Sequence, residues 1–343
     1  MKESQPSISD WRKLYSAAVE FKETACWEWM LDDDLFGVQD PVSGEIGYCC
    51  VMGYLGEHFA LGVYLGTEGL ESYMKIRSGE IAPGDMRAHV IQKCLMASFE
   101  DREFLTNEDR AIIKKLGLRF RGRNQWPLFR IHEPGYPPWH LNKNQAKYLT
   151  LALQQTVEVA LRFEEDFDML DAPKRDHYLV RVPKKSGNKL QWEDKWLKPA
   201  TLEEQKIVVP PIDEIRLQRI KRNIKRKAGT WEADFFFTPT PIKEKTDERP
   251  YFPHAMLYMD THSGMILGID MAKPGDYITQ FADGLMGIIE NVGVIPGEVL
   301  VMREEAFELL KLMASRLNIN LRLAKRLEAM EEAQASMLQF LFR

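Results

Sequence analysis

No apolar run in this 343-residue sequence reaches the ~18 residues that cross a bilayer, so no membrane partner is expected. The opening residues, Met1-Lys2-Glu3-Ser4-Gln5-Pro6-Ser7, are polar where a signal peptide places a basic start and an apolar stretch, and a cytoplasmic protein is expected. Cysteine is scarce: only Cys26, Cys49, Cys50 and Cys94 occur, and none are spaced C-x-x-C. Adjacent residues of a strand point to opposite faces, so Cys49 and Cys50 are poorly placed to share a metal or a disulfide. Buried thiols in a reducing compartment are the expectation. There is no surplus of positive charge, with 46 Lys and Arg against 51 Asp and Glu, which excludes a polycation built to coat nucleic acid. G-x-G-x-x-G, the Walker loop, G-x-S-x-G and H-E-x-x-H are all missing, and Asp32-Asp33-Asp34 lacks the alternating spacing of a calcium loop.

What is present is an ordinary globular composition over about twice a typical domain length, which makes two domains the natural division. Trp11, Leu14, Tyr15, Ala18 and Phe21 recur at helical spacing, with Asp10 as the expected N-cap. Leu35–Gln39, Glu45–Met52 and His58–Leu65 alternate between Gly-rich turns and predict an antiparallel meander. Helices are expected at Glu68–Arg77, Asp85–Cys94, Asn107–Leu116 and Asn142–Glu165. Between the last two, the dense prolines Pro134, Pro137 and Pro138 predict a rigid loop over Pro127–His140, where Trp126, His132, Tyr136, Trp139 and His140 offer a pocket or a packed cover. Tyr178–Val182 and Lys189–Trp196 read as paired strands around a turn at 184–188.

Charge then divides the chain. Residues 1–198 sum to −3, residues 199–229 to +4 and residues 230–343 to −6. The middle segment, with Pro199, Pro210, Pro211 and a basic helix expected over Ile212–Lys227, is the expected linker between an N-terminal α+β domain and a C-terminal domain. In the latter, strands Trp231–Thr238, Ala255–Met259 and Met265–Met271 precede a helix at Asp276–Asn291, a strand at Val299–Met302, a helix at Glu304–Leu317, a strand at Ile319–Leu323 and a helix at Lys325–Phe340. This βββαβαβα order calls for a mixed sheet with helices covering it.

Two resemblances follow from particular residues. Trp11–Phe21, Leu35-Phe36-Gly37-Val38-Gln39-Asp40-Pro41, Glu45 through Gly53 and His58 through Leu70 resemble the front of an uncharacterised bacterial two-domain family, and the C-terminal third resembles the second domain of unknown function found with it. That likeness implies no activity. The βββαβαβα order resembles the ribonuclease-H-like fold of nucleases and integrases, which implies paired Mg²⁺ or Mn²⁺ held by acidic residues on the first strand and later elements. The first-strand acid is then Asp234, with Glu290, Glu304 and the last-helix glutamates Glu328, Glu331 and Glu332 as further carboxylates. Arg303 stands where the pattern expects an Asp at the end of Val299–Met302, and a cation there opposes a divalent ion.

The expectation is therefore a non-catalytic binding or interaction protein with a degenerate ribonuclease-H-like domain and no cofactor. The alternatives are a metal-dependent nuclease, or a nucleic-acid binder through Arg216, Arg219, Lys221, Arg222, Lys225, Arg226 and Lys227. Ile212, Ile215, Ile220 and Ile224 give the same helix a packing face that leaves its cations solvated. Asp260-Thr261-His262-Ser263-Gly264 reads as a strand-joining turn.

Overall fold

A computed structural model describes residues 4–81, 86–186, 189–201, 209–245 and 248–341. By internal contacts the chain divides into two units, one of residues 1–134 and 138–203, the other of 135–137 and 204–343.

The first unit opens with α1 (Ile8–Thr24) and the meander β1 (Phe36–Gln39), β2 (Ile46–Met52) and β3 (Ala60–Leu65). It continues through α2 (Gly66–Arg77), α3 (Met86–Ile91), β4 (Cys94–Glu100), α4 (Asn107–Leu116), β5 (Trp126–Glu133), β6 (Tyr136–Trp139, of which Tyr136 and Pro137 are assigned to the other unit), α5 (Lys143–Glu165), β7 (Tyr178–Ser186) and β8 (Lys189–Leu197). The eight strands form one sheet in the order β6-β5-β4-β3-β2-β1-β7-β8. Pairing is antiparallel from β1 to β5 and within β7–β8, and parallel between β1 and β7. α1 and α5 bury Leu14, Phe21, Leu149 and Leu153 on one face together with Cys49, while Cys50 joins Tyr48, Tyr64 and Tyr73 on the other. All four cysteines are buried free thiols, and burial pushes Cys26, Cys49 and Cys94 up to about 12.

Several local expectations change. Ser7, not Asp10, caps α1: its Oγ accepts the Asp10 N–H at 3.2 Å, while Asp10 Oδ2 accepts the Ser7 N–H at 2.9 Å. Thr106 and Asp109 make the same reciprocal pair at α4, one residue before the expected Asn107 cap. Thr106→Ala is accordingly expected to cost about 1 kcal/mol in urea unfolding, by removing one of those two bonds. The expected proline loop is instead the strands β5 and β6; Pro137 and Pro138 fall on β6, the edge strand, where prolines within sheets are confined because only one side of the strand carries a ladder. Residues from Cys94 form a strand rather than ending a helix. Their Leu, Met and Ala carry little β preference, but both faces of β4 are covered, and burial outweighs propensity. The expected helix start at Asp85 and the turn residues 187–188 lie outside the described residues.

The second unit contains α6 (Glu214–Asn223), β9 (Thr230–Phe237), β10 (His254–Asp260), β11 (Ile266–Ala272), α7 (Tyr277–Ala282), α8 (Gly284–Val292), β12 (Glu298–Val301), α9 (Glu304–Leu317), β13 (Asn320–Leu323) and α10 (Glu328–Leu341). Its sheet runs β11-β10-β9-β12-β13, with β9, β10 and β11 antiparallel and β12 and β13 parallel to β9. This is the strand order and direction of the ribonuclease-H-like fold. α7, α8 and α9 cover one face over Phe281, Leu285, Ile289, Leu310 and Met313, and α10 closes the other over Leu257, Met259, Leu327 and Met330. The single helix expected at Asp276–Asn291 is broken at Asp283, which lies between α7 and α8. Gly284 lies so close to Tyr258 and Asp270 that a Cβ there would sit 2.4 Å from Asp270 Oδ2.

Candidate functional site

β9 places residues of alternate parity on opposite faces of the second sheet. Trp231, Ala233 and Phe235 enter the core under α7, α8 and α9. Glu232 and Asp234 therefore face α10, and both are buried. Glu232 Oε2 accepts the Met330 N–H at 2.8 Å and so caps the first turn of α10. A carboxylate at a helix N-terminus satisfies orphan donors and meets the positive end of the dipole.

Asp234 is held differently. Its Oδ1 accepts the Phe235 N–H at 2.8 Å and lies 3.0 Å from Arg303 Nη1. Its Oδ2 is buried without a hydrogen-bond partner among the described residues. Burial pushes the Asp234 carboxyl above its ordinary range, against the opposing pull of Arg303. Arg303 follows β12, donates through the same Nη1 to the Phe235 carbonyl, and holds its guanidinium 5.6 Å from the Phe235 ring centroid. Beside it lies an aromatic cluster. His254 contacts Phe237, Tyr277 and Phe235 with centroids 3.9, 4.5 and 5.7 Å away. The His254 Nδ1 has no partner among the described residues, and burial, with Arg303 adding to it, depresses the imidazole to about 4.

The other expected carboxylates do not gather here. Glu290 on α8 accepts from Arg216 at 2.7 and 2.9 Å and from Arg219 at 2.9 Å, which lowers its pKa. Glu304 is exposed in the first turn of α9, Glu331 pairs with Arg326 at 2.7 Å, and Glu328 and Glu332 are exposed. Among the described residues no three His, Cys, Asp or Glu side chains are grouped to hold a metal ion. Of the two buried acids on β9, Glu232 is occupied by the first turn of α10 and Asp234 by the Arg303 guanidinium, which a divalent ion would have to displace.

Of the seven basic residues expected to bind, Arg216 and Arg219 are thus committed to Glu290. Lys221, Arg222, Lys225, Arg226 and Lys227 are exposed. Lys225 Nζ donates to the Lys221 carbonyl at 3.0 Å, and Lys227 Nζ donates to the Asn318 carbonyl. The helix is shorter than expected because residues past Asn223 pair with Ile295: the Ile295 N–H donates to Arg226 and the Ala228 N–H to Ile295. Its packing face also differs, since Leu217 and Ile220 are buried while Ile215 is 86% exposed. Asp260 Oδ1 accepts from Ser263 N and Oγ at 2.8 Å each, as a turn carboxylate does.

Sequence reasoning missed Glu232 and His254. Glu232 was accessible in principle, since it stands two residues before Asp234 and shares its face. His254 gave no signal, because its unsatisfied nitrogen exists only once β10 lies beside β9.

Residues 11–181 match the family model described as a domain of unknown function, DUF7309, and residues 216–338 match a second, DUF6930. No curated protein matches the chain. Among solved structures, a chain of "Crystal structure of a pre-cleavage Mos1 transpososome" is similar at 15% identity with a TM-score of 0.18, over 51% of this chain and 53% of that one. The chain therefore spans about half the length of that relative.

Proposed function

We propose, for a chain made of the domain of unknown function DUF7309 followed by the domain of unknown function DUF6930, that it is a non-catalytic binding or interaction protein. In this reading its second domain keeps the ribonuclease-H-like strand order and has given up the metal chemistry of that fold. The supporting observation is the 3.0 Å contact between Arg303 and Asp234. Two-metal phosphoryl transfer needs several carboxylates facing a pair of cations, whereas here one buried carboxylate faces a cation from the protein itself. The test is cleavage of labelled single- and double-stranded DNA and RNA with Mg²⁺ or Mn²⁺ at millimolar concentration. The expected result is no cleavage above the buffer control, with Asp234→Asn indistinguishable from the parent. Metal-dependent cleavage abolished by Asp234→Asn would overturn the reading.

A second reading, contact with an anionic partner such as nucleic acid through α6 and the residues after it, is favoured by the five exposed cations at Lys221, Arg222, Lys225, Arg226 and Lys227. It predicts binding that weakens steeply with salt and is lost in Lys221→Glu/Arg222→Glu. Equal binding by that variant and the parent removes it.

A further inference from the structure

The first unit carries a groove that neither reading uses. About 560 Å³ in volume, it is lined by the end of α4 and the chain leading into β5. Every charged residue on its wall is a cation: Arg102, Arg110, Lys114, Arg119 and Arg121. Lys114, Arg119 and Arg121 are exposed, and none has an ion-pair partner among the described residues. Arg110 donates only to the neutral Asn107 Oδ1, at 2.7 Å. Arg102 stacks its guanidinium 5.9 Å from the Trp126 ring centroid.

Acids lie close in sequence, but several are engaged elsewhere. Asp109 is buried against Arg130 at 2.6 Å, Glu108 pairs with His140 at 3.0 Å, and Asp101 accepts the Asn124 N–H at 2.7 Å. Lys114 lies in the last turn of α4, where a cation answers the helix dipole. That account does not extend to Arg102, Arg119 or Arg121.

The groove also presents two flat aromatic rings. Phe120 and Trp126 are each half-buried, with centroids 5.9 Å apart and planes at 62°. Phe120 is backed by Tyr15, whose ring stacks on it with centroids 6.2 Å apart. In the sequence the pattern is Arg119-Phe120-Arg121, a cation on each side of a ring.

We propose that this groove binds single-stranded nucleic acid. Like-charged side chains gathered on a wall that carries no acid repel one another, and a phosphate backbone relieves that repulsion by releasing its own counterions. Half-buried rings at the groove wall between such cations offer stacking partners to unstacked bases, which a duplex hides. The site is separate in the chain from the cations of α6, so the two assignments stand or fall independently.

The experiment measures fluorescence anisotropy of labelled dT20, U20 and a 20-base-pair DNA duplex with the full chain. Binding to one or both single strands is expected to exceed binding to the duplex. The slope of log affinity on log salt is expected near −3, a roughly 60-fold loss between about 50 and 200 mM salt. Arg119→Glu/Arg121→Glu alters exposed side chains without partners and is expected to keep the parent's circular dichroism and Tm. Its affinity is expected to fall at least ~10-fold, with a shallower salt slope. Trp126→Leu is expected to weaken single-strand binding about fivefold or more while leaving the salt slope unchanged. The proposal is overturned by no binding at ~50 mM salt, by a duplex bound as tightly as the single strands, or by a loss confined to Lys221→Glu/Arg222→Glu.

Discussion

Arg303→Met is expected to destabilise the second domain by about 3 kcal/mol at pH 7, because it leaves the Asp234 carboxylate buried without its cation. The size of the loss will depend on pH in a definite direction. Asp234 already titrates above its ordinary value in the folded protein, and losing Arg303 raises it further. A carboxyl whose folded pKa is raised holds its proton more tightly folded than unfolded. Stability therefore falls as pH climbs from the unfolded value of about 4 through the folded one, then levels off. Arg303→Met will be closest to the parent near pH 4 and furthest from it at neutral pH. His254 pushes the same way, since removing Arg303 also eases protonation of that imidazole at low pH. Urea unfolding at pH 4 and pH 7, followed by tryptophan fluorescence with Trp231 in the core, measures both limbs. Asp234→Asn/Arg303→Met is expected to recover most of the neutral-pH loss, because the stranded charge is gone. A single variant with the same deficit at both pH values would show that the ion pair does not offset the burial of Asp234.

The parts of this arrangement legible in sequence are those that local patterns encode. β9, β10 and β11 announce themselves by apolar runs and by the turn at Asp260–Gly264, and α9 is bounded by Glu304 and Leu317 as its periodicity predicts. The presence of Arg303 at the end of β12, opposite a first-strand acid, also follows once the βββαβαβα order is read. What could not be read are pairings between residues far apart in sequence. Glu290 looks like a free carboxylate on a helix until α6 brings up Arg216, 74 residues earlier. β4 was hidden because its Leu, Met and Ala favour helix locally, and only the neighbouring β3 and β5 make it a strand. The need for glycine at 284 depends on Asp270 and Tyr258, which belong to other elements. The basic groove of the first unit had a local signal, Arg119-Phe120-Arg121, but a cation run says little until the structure shows which acids are already paired.

His254 carries the remaining large effect, an acid lability located in one side chain. It is 7% exposed among Phe235, Phe237 and Tyr277, with its pKa depressed to about 4 against about 6.5 unfolded. A histidine with a depressed folded pKa is protonated first in the unfolded chain. Its contribution is therefore complete above about pH 6.5 and is lost as pH falls toward 4, by about 3 kcal/mol in total. Asp234, which shares Arg303 with this cluster, works in the opposite sense, so it offsets part of the slope that His254 gives the parent between about pH 4 and 6.5. His254→Phe separates them. The substituted ring keeps the aromatic contacts and removes the titration, so the variant is expected to lose less stability than the parent on going from pH 7 to pH 4.5. The slope it retains in that range is set by the carboxyl groups, Asp234 and Asp270 raised against Glu244, Asp260 and Glu290 lowered, and is expected to be shallower than the parent's. Parallel pH profiles for parent and His254→Phe would mean that the imidazole is not the group whose charging opens this domain in acid.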